Sequence, residues 1–227
     1  MKYTTLLFDL DDTILDFTKG EQIALNLLFE EMKIDNIKDV INEYVMLNKS
    51  LWKEIEKGTL TRDYVLNNRF AMLFNKYNQK VDGVKVEERY RHYLDLQHEM
   101  IDGAGEVLKD LCNLCKIYII TNGVSKTQFR RIKDSKIEEI FTDIFISEDI
   151  GYQKPAKEYF EAVIKKIPGF NLRKTLIIGD SLTADILGGT QNDIDTCWFN
   201  LNKIENLTDI KPTYEIYKLT DLYEILK

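Results

Sequence analysis

Cysteine and histidine are scarce, at three and two residues in a chain of 227. Cys112 and Cys115 have the CxxC spacing, and Cys197 stands far from both. A structural zinc site needs four ligands, and neither His92 nor His98 is near enough in sequence to complete one. A redox pair sits at a helix N-terminus, where the dipole lowers the thiol pKa. This pair instead falls late in a predicted helix, just before a strand, so it is read as two small apolar residues on a buried helix face. Long apolar runs are missing as well: none approaches the ~18 residues that span a bilayer, and no membrane partner is expected. No signal peptide is expected either, because a dense acidic run begins at Asp9 and cleavage would remove it. Positive charge is in deficit, with a net charge of −7 and a pI of about 5.1, which speaks against a DNA or RNA polymer as partner. The expected setting is the cytoplasm. No internal repeat or low-complexity segment is visible.

What is present is ordinary for a globular protein with a sizeable core: 44% hydrophobic and 30% charged residues. The length fits one large domain or a core with a smaller insertion. The stretch around which the chain is organised runs from Thr4 to Asp16. Leu6-Leu7-Phe8 reads as a strand that feeds into Asp9, Asp11 and Asp12. If strand alternation persists to the end, Asp9 and Asp11 share one side and Asp12 leaves it. Two like charges about 4 Å apart repel by roughly 4 kcal/mol at an effective dielectric of 20, and a divalent cation would offset that. A solvated acidic loop is the plain alternative.

From Asp16 to about residue 99 the pattern is helical. Ile23, Leu27 and Leu28 recur with helical period between Glu21 and Met32. A second helix runs from about Lys38 to Lys57, with Val40, Tyr44, Leu47, Leu51 and Ile55 in one stripe, and Gly58 stops it. Thr61 is a good N-cap for a third, and Val86 to Gln97 reads as a fourth. At Asp102-Gly103-Ala104-Gly105 the pattern changes to alternating strands and helices. Ile117–Ile120, Ile144–Ile146, Thr175–Ile178, Thr196–Phe199 and Tyr214–Tyr217 are short and apolar or β-branched, as buried parallel strands should be. Helices are expected at Ser125 onward, with Gln128 completing a capping box, and at Ala156–Lys166, Leu182–Thr190 and Leu219–Leu226. The fold class is α/β: a parallel sheet with helices on both faces.

Ligands bind such sheets at the carboxyl ends of the strands. There the chain places Asp9 and Asp11, then Thr121-Asn122-Gly123, then Gly179-Asp180-Ser181 with Asp185 one turn on, and Lys154-Pro155 ahead of a helix. Singly, a Thr-Asn-Gly is a turn and a Lys-Pro a helix start. Together they suit phosphoryl transfer. A carboxylate can act as covalent nucleophile, a phosphoryl group in transit needs its oxygens neutralised, and Lys154, the Thr121 hydroxyl and the amides of Asn122 and Gly123 offer charge and donors. Mg²⁺ takes few carboxylates, several waters and a substrate phosphate, and Asp9 and Asp180 can supply the carboxylates.

Asp9-Leu-Asp11-Asp-Thr13, Thr121-Asn-Gly, Lys154-Pro155 and Gly179-Asp-Ser-Leu-Thr-Ala-Asp185 resemble the four ordered motifs of the haloacid dehalogenase (HAD) superfamily over essentially the whole chain. The resemblance implies a Rossmann-like core at 1–16 and 100–227, with residues 17–99 as an inserted helical cap of the C1 type. It implies Asp9 as nucleophile and Asp11 as general acid/base. It implies Mg²⁺ held by Asp9, the Asp11 main-chain carbonyl and Asp180, with Asp185 in support, and a phosphoryl group gripped by Thr121 and Lys154, beside Asn122 and Gly123.

A narrower resemblance, to bacterial pyrimidine 5′-nucleotidases, is carried by Asn48-Lys-Ser-Leu-Trp52, Gly58-Thr-Leu-Thr61, Asn68-Arg-Phe70, Thr121-Asn-Gly-Val with Gln128 and Arg131, Asp185-Ile-Leu-Gly-Gly189 and Asp195-Thr-Cys-Trp198. It implies hydrolysis of pyrimidine nucleoside 5′-monophosphates such as dUMP, UMP and dTMP. Asp193 departs from that branch's usual Gly; if a positive φ is needed there, Asp tolerates it better than most residues. Trp52 could stack on a base and Asn48 read its edge, yet Trp52 could equally be core, and Asn48 and Arg69 solvated helix positions. The expected partner is a small phosphomonoester, and the expected state a monomer or weak homodimer. Asp11 and Asp180 together argue against a dehalogenase, which needs neither. A sugar-phosphate phosphatase or phosphomutase keeps the same motifs. A phospho-receiver is much shorter and has no helical insertion, and a non-catalytic binding protein would not keep every catalytic position filled.

Overall fold

The computed structural model describes residues 1–227. The β-branched runs form one six-stranded sheet: β1 (Thr5–Phe8), β2 (Lys116–Thr121), β3 (Asp143–Ile146), β4 (Thr175–Gly179), β5 (Asp195–Phe199) and β6 (Tyr214–Ile216). Their order is β3-β2-β1-β4-β5-β6, and every neighbouring pair is parallel. The helices are α1 (Phe17–Glu31), α2 (Ile37–Glu56), α3 (Arg62–Asn75), α4 (Gly83–Leu94), α5 (Ala104–Leu111), α6 (Ser125–Asp134), α7 (Ser147–Ile150), α8 (Lys157–Lys166), α9 (Leu187–Gln191) and α10 (Leu222–Leu226).

Period-two alternation divides the sheet residues between two apolar layers. Leu6, Phe8, Ile117, Ile119, Leu176 and Ile178 pack with Val107, Leu108 and Leu111 of α5 and Ile132 of α6. Leu7, Tyr118, Ile120 and Ile177 face the other way, against Tyr159, Phe160 and Val163 of α8. Both faces are covered, so the strands read as continuous apolar runs. After β1 the chain goes to β2 on one side, and β4 returns on the other. Open α/β sheets bind ligands at the strand ends beside such a reversal.

By compactness the chain divides into Met1–Phe17 with His98–Lys227, and Thr18–Gln97. The second unit is wholly helical. Thr61 accepts from the Tyr64 N–H to cap α3, and Asp82 from the Lys85 N–H to cap α4. Its core is aromatic: Tyr44 stacks on Phe70 at 5.0 Å between ring centres, and Phe29 meets Phe74 edge-on at 5.9 Å. Asn48 and Arg69 are buried within it, which overturns the reading of both as solvated helix positions. Trp52 is half-buried against Leu51, Ile55 and Val65.

Several local expectations change. β1 ends at Phe8, so strand alternation does not carry Asp11; a turn with Asp12 at φ 56° does. The stretch from Leu182 begins as a π-helical turn, Leu182–Ile186, before α9. The closing segment opens as a 3₁₀ turn, Leu219–Asp221. Cys115 is buried but Cys112 is exposed, so only one member of the pair is core. Asp193 takes φ 55°, the left-handed conformation in which Gly is usual.

Candidate active site

Asp9 follows β1 directly, and its backbone N–H donates to the Ile178 carbonyl of β4 at 2.8 Å. The sheet ladder therefore extends one residue past the strand and fixes the Asp9 Cα. The side chain is buried. Lys154 reaches it from the segment before α8. All three ammonium hydrogens of Lys154 have acceptors: Asp9 Oδ1 at 2.6 Å, Asp185 Oδ1 at 2.6 Å and the Ile120 carbonyl at 2.8 Å. Charge on Asp185 and Asp9 holds the ammonium above its ordinary value, against the opposing effect of burial.

Carboxylate oxygens of Asp9, Asp180 and Asp185 lie within 4.8 Å of one another. Burial pushes the Asp9 carboxyl up to about 8; the Lys154 ammonium opposes this, and the Asp185 and Asp11 carboxylates add to it. Asp180 is raised well above its ordinary value, first by burial, then by Asp9, Asp185 and Asp12. Lys154 pairs with Asp9 and Asp185, and with Asp180 beside them the group carries two net negative charges if all three carboxyls ionise. A divalent cation would match that deficit, and hard carboxylate oxygens are the donors Mg²⁺ takes.

Asp185 is the best-held of the three. Its second oxygen accepts from the Ser181 N–H at 3.2 Å, and its carboxyl lies where a Cβ on Gly179 would come within 2.2 Å. The glycine at the end of β4 is thus required for Asp185 to pack over the strand. The Trp198 indole donates to the Asp180 carbonyl at 2.8 Å and pins that loop from β5.

Of the anticipated residues, Asp9, Lys154, Asp180 and Asp185 come together. Asn122 does something else with its side chain. Its amide N–H donates to the Lys154 carbonyl at 2.9 Å, and its Oδ1 accepts from the Lys154 N–H at 2.8 Å. It joins the end of β2 to the lysine segment. The Gly123 N–H donates to Thr121 Oγ1 at 3.1 Å. Asp11 is held by two side chains of α6: Gln128 Nε2 donates to Oδ2 at 2.7 Å, and Arg131 pairs with Oδ1. The capping box at Ser125 is therefore absent. Gln128 points at the site, and the Ser125 N–H finds Glu148 Oε2 at 2.6 Å instead. Sequence reasoning did not place Gln128, Arg131 or Trp198 among the site residues. The i, i+3 spacing of Gln128 and Arg131, which sets both on one helix face, was the available signal.

The family model described as haloacid dehalogenase-like hydrolase matches residues 3–193. The chain is 50% identical to the putative HAD-hydrolase YfnB of Bacillus subtilis over 99% of its own length and 96% of that protein's. A crystal structure of YfnB, described as bound to magnesium and revealing interdomain movement, aligns over 100% of both chains with a TM-score of 0.95 and 49% identity. The chain is also 40% identical to the pyrimidine 5′-nucleotidase PynA of Streptococcus pneumoniae, over 100% of this chain and 96% of that one. It is 28% identical to the pyrimidine 5′-nucleotidase YjjG of Escherichia coli, over 100% and 99%.

Proposed function

The chain belongs to the haloacid dehalogenase-like hydrolases and is a phosphatase of that family, and from this premise we propose that it hydrolyses pyrimidine nucleoside 5′-monophosphates through an aspartyl phosphate on Asp9. The observation that carries the reading is the buried Asp9 carboxylate, with one oxygen on Lys154 and the oxygens of Asp180 and Asp185 within 4.8 Å. The donor set suits Mg²⁺, which Asp9, Asp180 and the Asp11 main-chain carbonyl would hold, with Asp185 supporting through Lys154. When bound, Mg²⁺ would neutralise charge on the phosphoryl oxygens.

Lys154 occupies Oδ1 of Asp9, so Oδ2 is the oxygen that attacks phosphorus. The P–O bond to the nucleoside breaks, and Asp11, protonated and turned from Gln128 and Arg131 for this step, gives its proton to the departing alkoxide. Water then attacks the aspartyl phosphate, Asp11 takes its proton, and inorganic phosphate leaves with Asp9 restored. Lys154 lies beside the reacting carboxylate throughout, where its fixed charge faces the phosphoryl group.

The substrate class rests on the two relatives named as pyrimidine 5′-nucleotidases and on the helical insertion between the first and second motifs. We assign Thr18–Gln97 as a cap that selects the leaving group. Asn48 is already bonded to Glu21 and Arg69, so it is not the base reader, and Trp52 remains the aromatic candidate. A screen of Mg²⁺-dependent phosphate release over nucleotides and sugar phosphates tests the reading. Pyrimidine monophosphates should lead; preference for a sugar phosphate would transfer the site to the sugar-phosphate branch. Asp11→Asn should lose about 10²- to 10⁴-fold on a nucleotide and far less on an activated aryl phosphate, whose phenoxide needs little protonation.

A further inference from the structure

Gln128 and Arg131 are each 1% exposed, and the reaction just described uses neither. Gln128 Oε1 accepts from Arg131 Nη1 at 3.1 Å, while Nε2 donates to Asp11 Oδ2 at 2.7 Å and to Thr121 Oγ1 at 2.9 Å. A guanidinium only donates and a carboxylate only accepts, so one orientation of the amide satisfies both. Thr121 Oγ1 then accepts two hydrogen bonds, from Gln128 and from the Gly123 N–H at 3.1 Å. A hydroxyl has two lone pairs and one proton. With both lone pairs filled, Thr121 can only donate.

We propose that Gln128 and Arg131 are positioning residues that compel the Thr121 hydroxyl to donate to the substrate phosphoryl group, and that they hold Asp11 when it is ionised. Arg131 sets the amide and the amide sets the hydroxyl. The proposal rests on the phosphatase reading and assigns it two residues that act through others. Gly123 belongs to the same device: a Cβ there would come within 2.2 Å of Gln128 Nε2, so only glycine lets the amide cross to Thr121.

The test is a double-mutant cycle read by calorimetric titration of inorganic phosphate into the Mg²⁺-loaded protein, with a melting curve for each variant. Gln128→Met and Thr121→Val should each weaken phosphate binding by about tenfold or more, the size of one hydrogen bond to a charged group. The double variant should be no more than about twofold weaker than Thr121→Val, because the two act as one unit. Arg131→Met should reproduce the Gln128→Met loss. Gly123→Ala is the second route, since its methyl would come within 2.2 to 2.7 Å of Gln128 Nε2, Cδ and Cγ and push that side chain off Thr121 without changing it; it too should lose about tenfold. The inference is overturned if Gln128→Met, or Gly123→Ala where the former does not fold, binds phosphate within about twofold of wild type. Losses that add in the double variant would equally show Gln128 to be only structural. A wild-type protein that neither binds phosphate nor hydrolyses phosphomonoesters overturns the phosphatase reading with it, whereas an active wild type with indifferent Gln128 variants overturns this inference alone.

Discussion

In the helical unit, the Arg69 guanidinium meets Glu87 through two bonds of 2.7 Å, donates to Asn48 at 2.9 Å and lies 5.0 Å from the centre of the Tyr90 ring. Arg91 adds a second cation on Glu87 at 2.7 Å, and Glu21 accepts from Asn48 and Tyr90. Two cations meet two carboxylates. In the sheet unit, Asp9, Asp180 and Asp185 cluster around a single cation, Lys154, which pairs with Asp9 and Asp185. Both clusters are largely buried and rich in charge. The balanced one has its charges matched and holds helices in register; the unbalanced one holds a charge deficit open for a ligand. Burial of charge alone therefore does not mark a functional site, whereas burial of uncompensated charge does.

The sharpest way to break the contrast is Asp9→Asn. If the unbalanced cluster is the reactive one, phosphate release should fall by about 10⁴-fold while the protein still melts cooperatively, since an amide is no nucleophile. Activity above a few per cent of wild type would remove Asp9 from the mechanism. The counterpart in the balanced cluster is Arg69→Met. It leaves Glu87 buried with a single cation and should cost about 3–5 kcal/mol of stability, measured by urea unfolding. A neutral result would mean that the network is dispensable to the fold and open to another role.

Metal linkage sharpens the contrast further. The Asp9 carboxyl is held at about 8 in the folded state against an ordinary value of 3.8, and Asp180 moves in the same direction. Between those values the folded protein binds more protons than the unfolded one. The stability of the metal-free protein therefore falls as pH rises from about 4 to about 8. Mg²⁺ competes with those protons, so its stabilisation should grow over the same window and reach about 1–3 kcal/mol at Mg²⁺ concentrations of about 10 to 100 times Kd. Melting curves with Mg²⁺ or chelator at several pH values check this; a Mg²⁺ effect that is flat with pH would detach the metal from Asp9 and Asp180. The smallest expected effect belongs to Trp52→Ala. If Trp52 stacks on the base, KM for dUMP should rise by about 2- to 10-fold, in keeping with 0.5–1.5 kcal/mol for an aromatic pair, with hydrolysis of a small aryl phosphate unchanged. Equal losses on both substrates, or a lowered melting temperature, would return Trp52 to the Leu51–Ile55–Val65 cluster.

By itself the sequence determined the strands, the all-helical stretch after Asp16 and the order of the four motifs. Each depends on local pattern: β-branched runs of four to six residues, a helical apolar period, and carboxylates or donors placed just past strand ends. Which polar residues meet was decided only by the tertiary structure. Asp11 follows Asp9 by two residues, yet its partners Gln128 and Arg131 lie more than a hundred positions away and arrive on α6 because β2 pairs beside β1. The side chain of Asn122 ties down Lys154, a role no local pattern marks, because its carboxamide finds a backbone N–H and carbonyl in the facing segment. Arg69 and Asn48 looked fit for solvent, because a charge on a helix carries no mark of burial until its counter-charge on another helix is known. The physical reason is common to all of these. Backbone conformation follows from neighbours in sequence, whereas the pairing of side-chain charges depends on which distant elements the sheet and the bundle bring within about 3 Å.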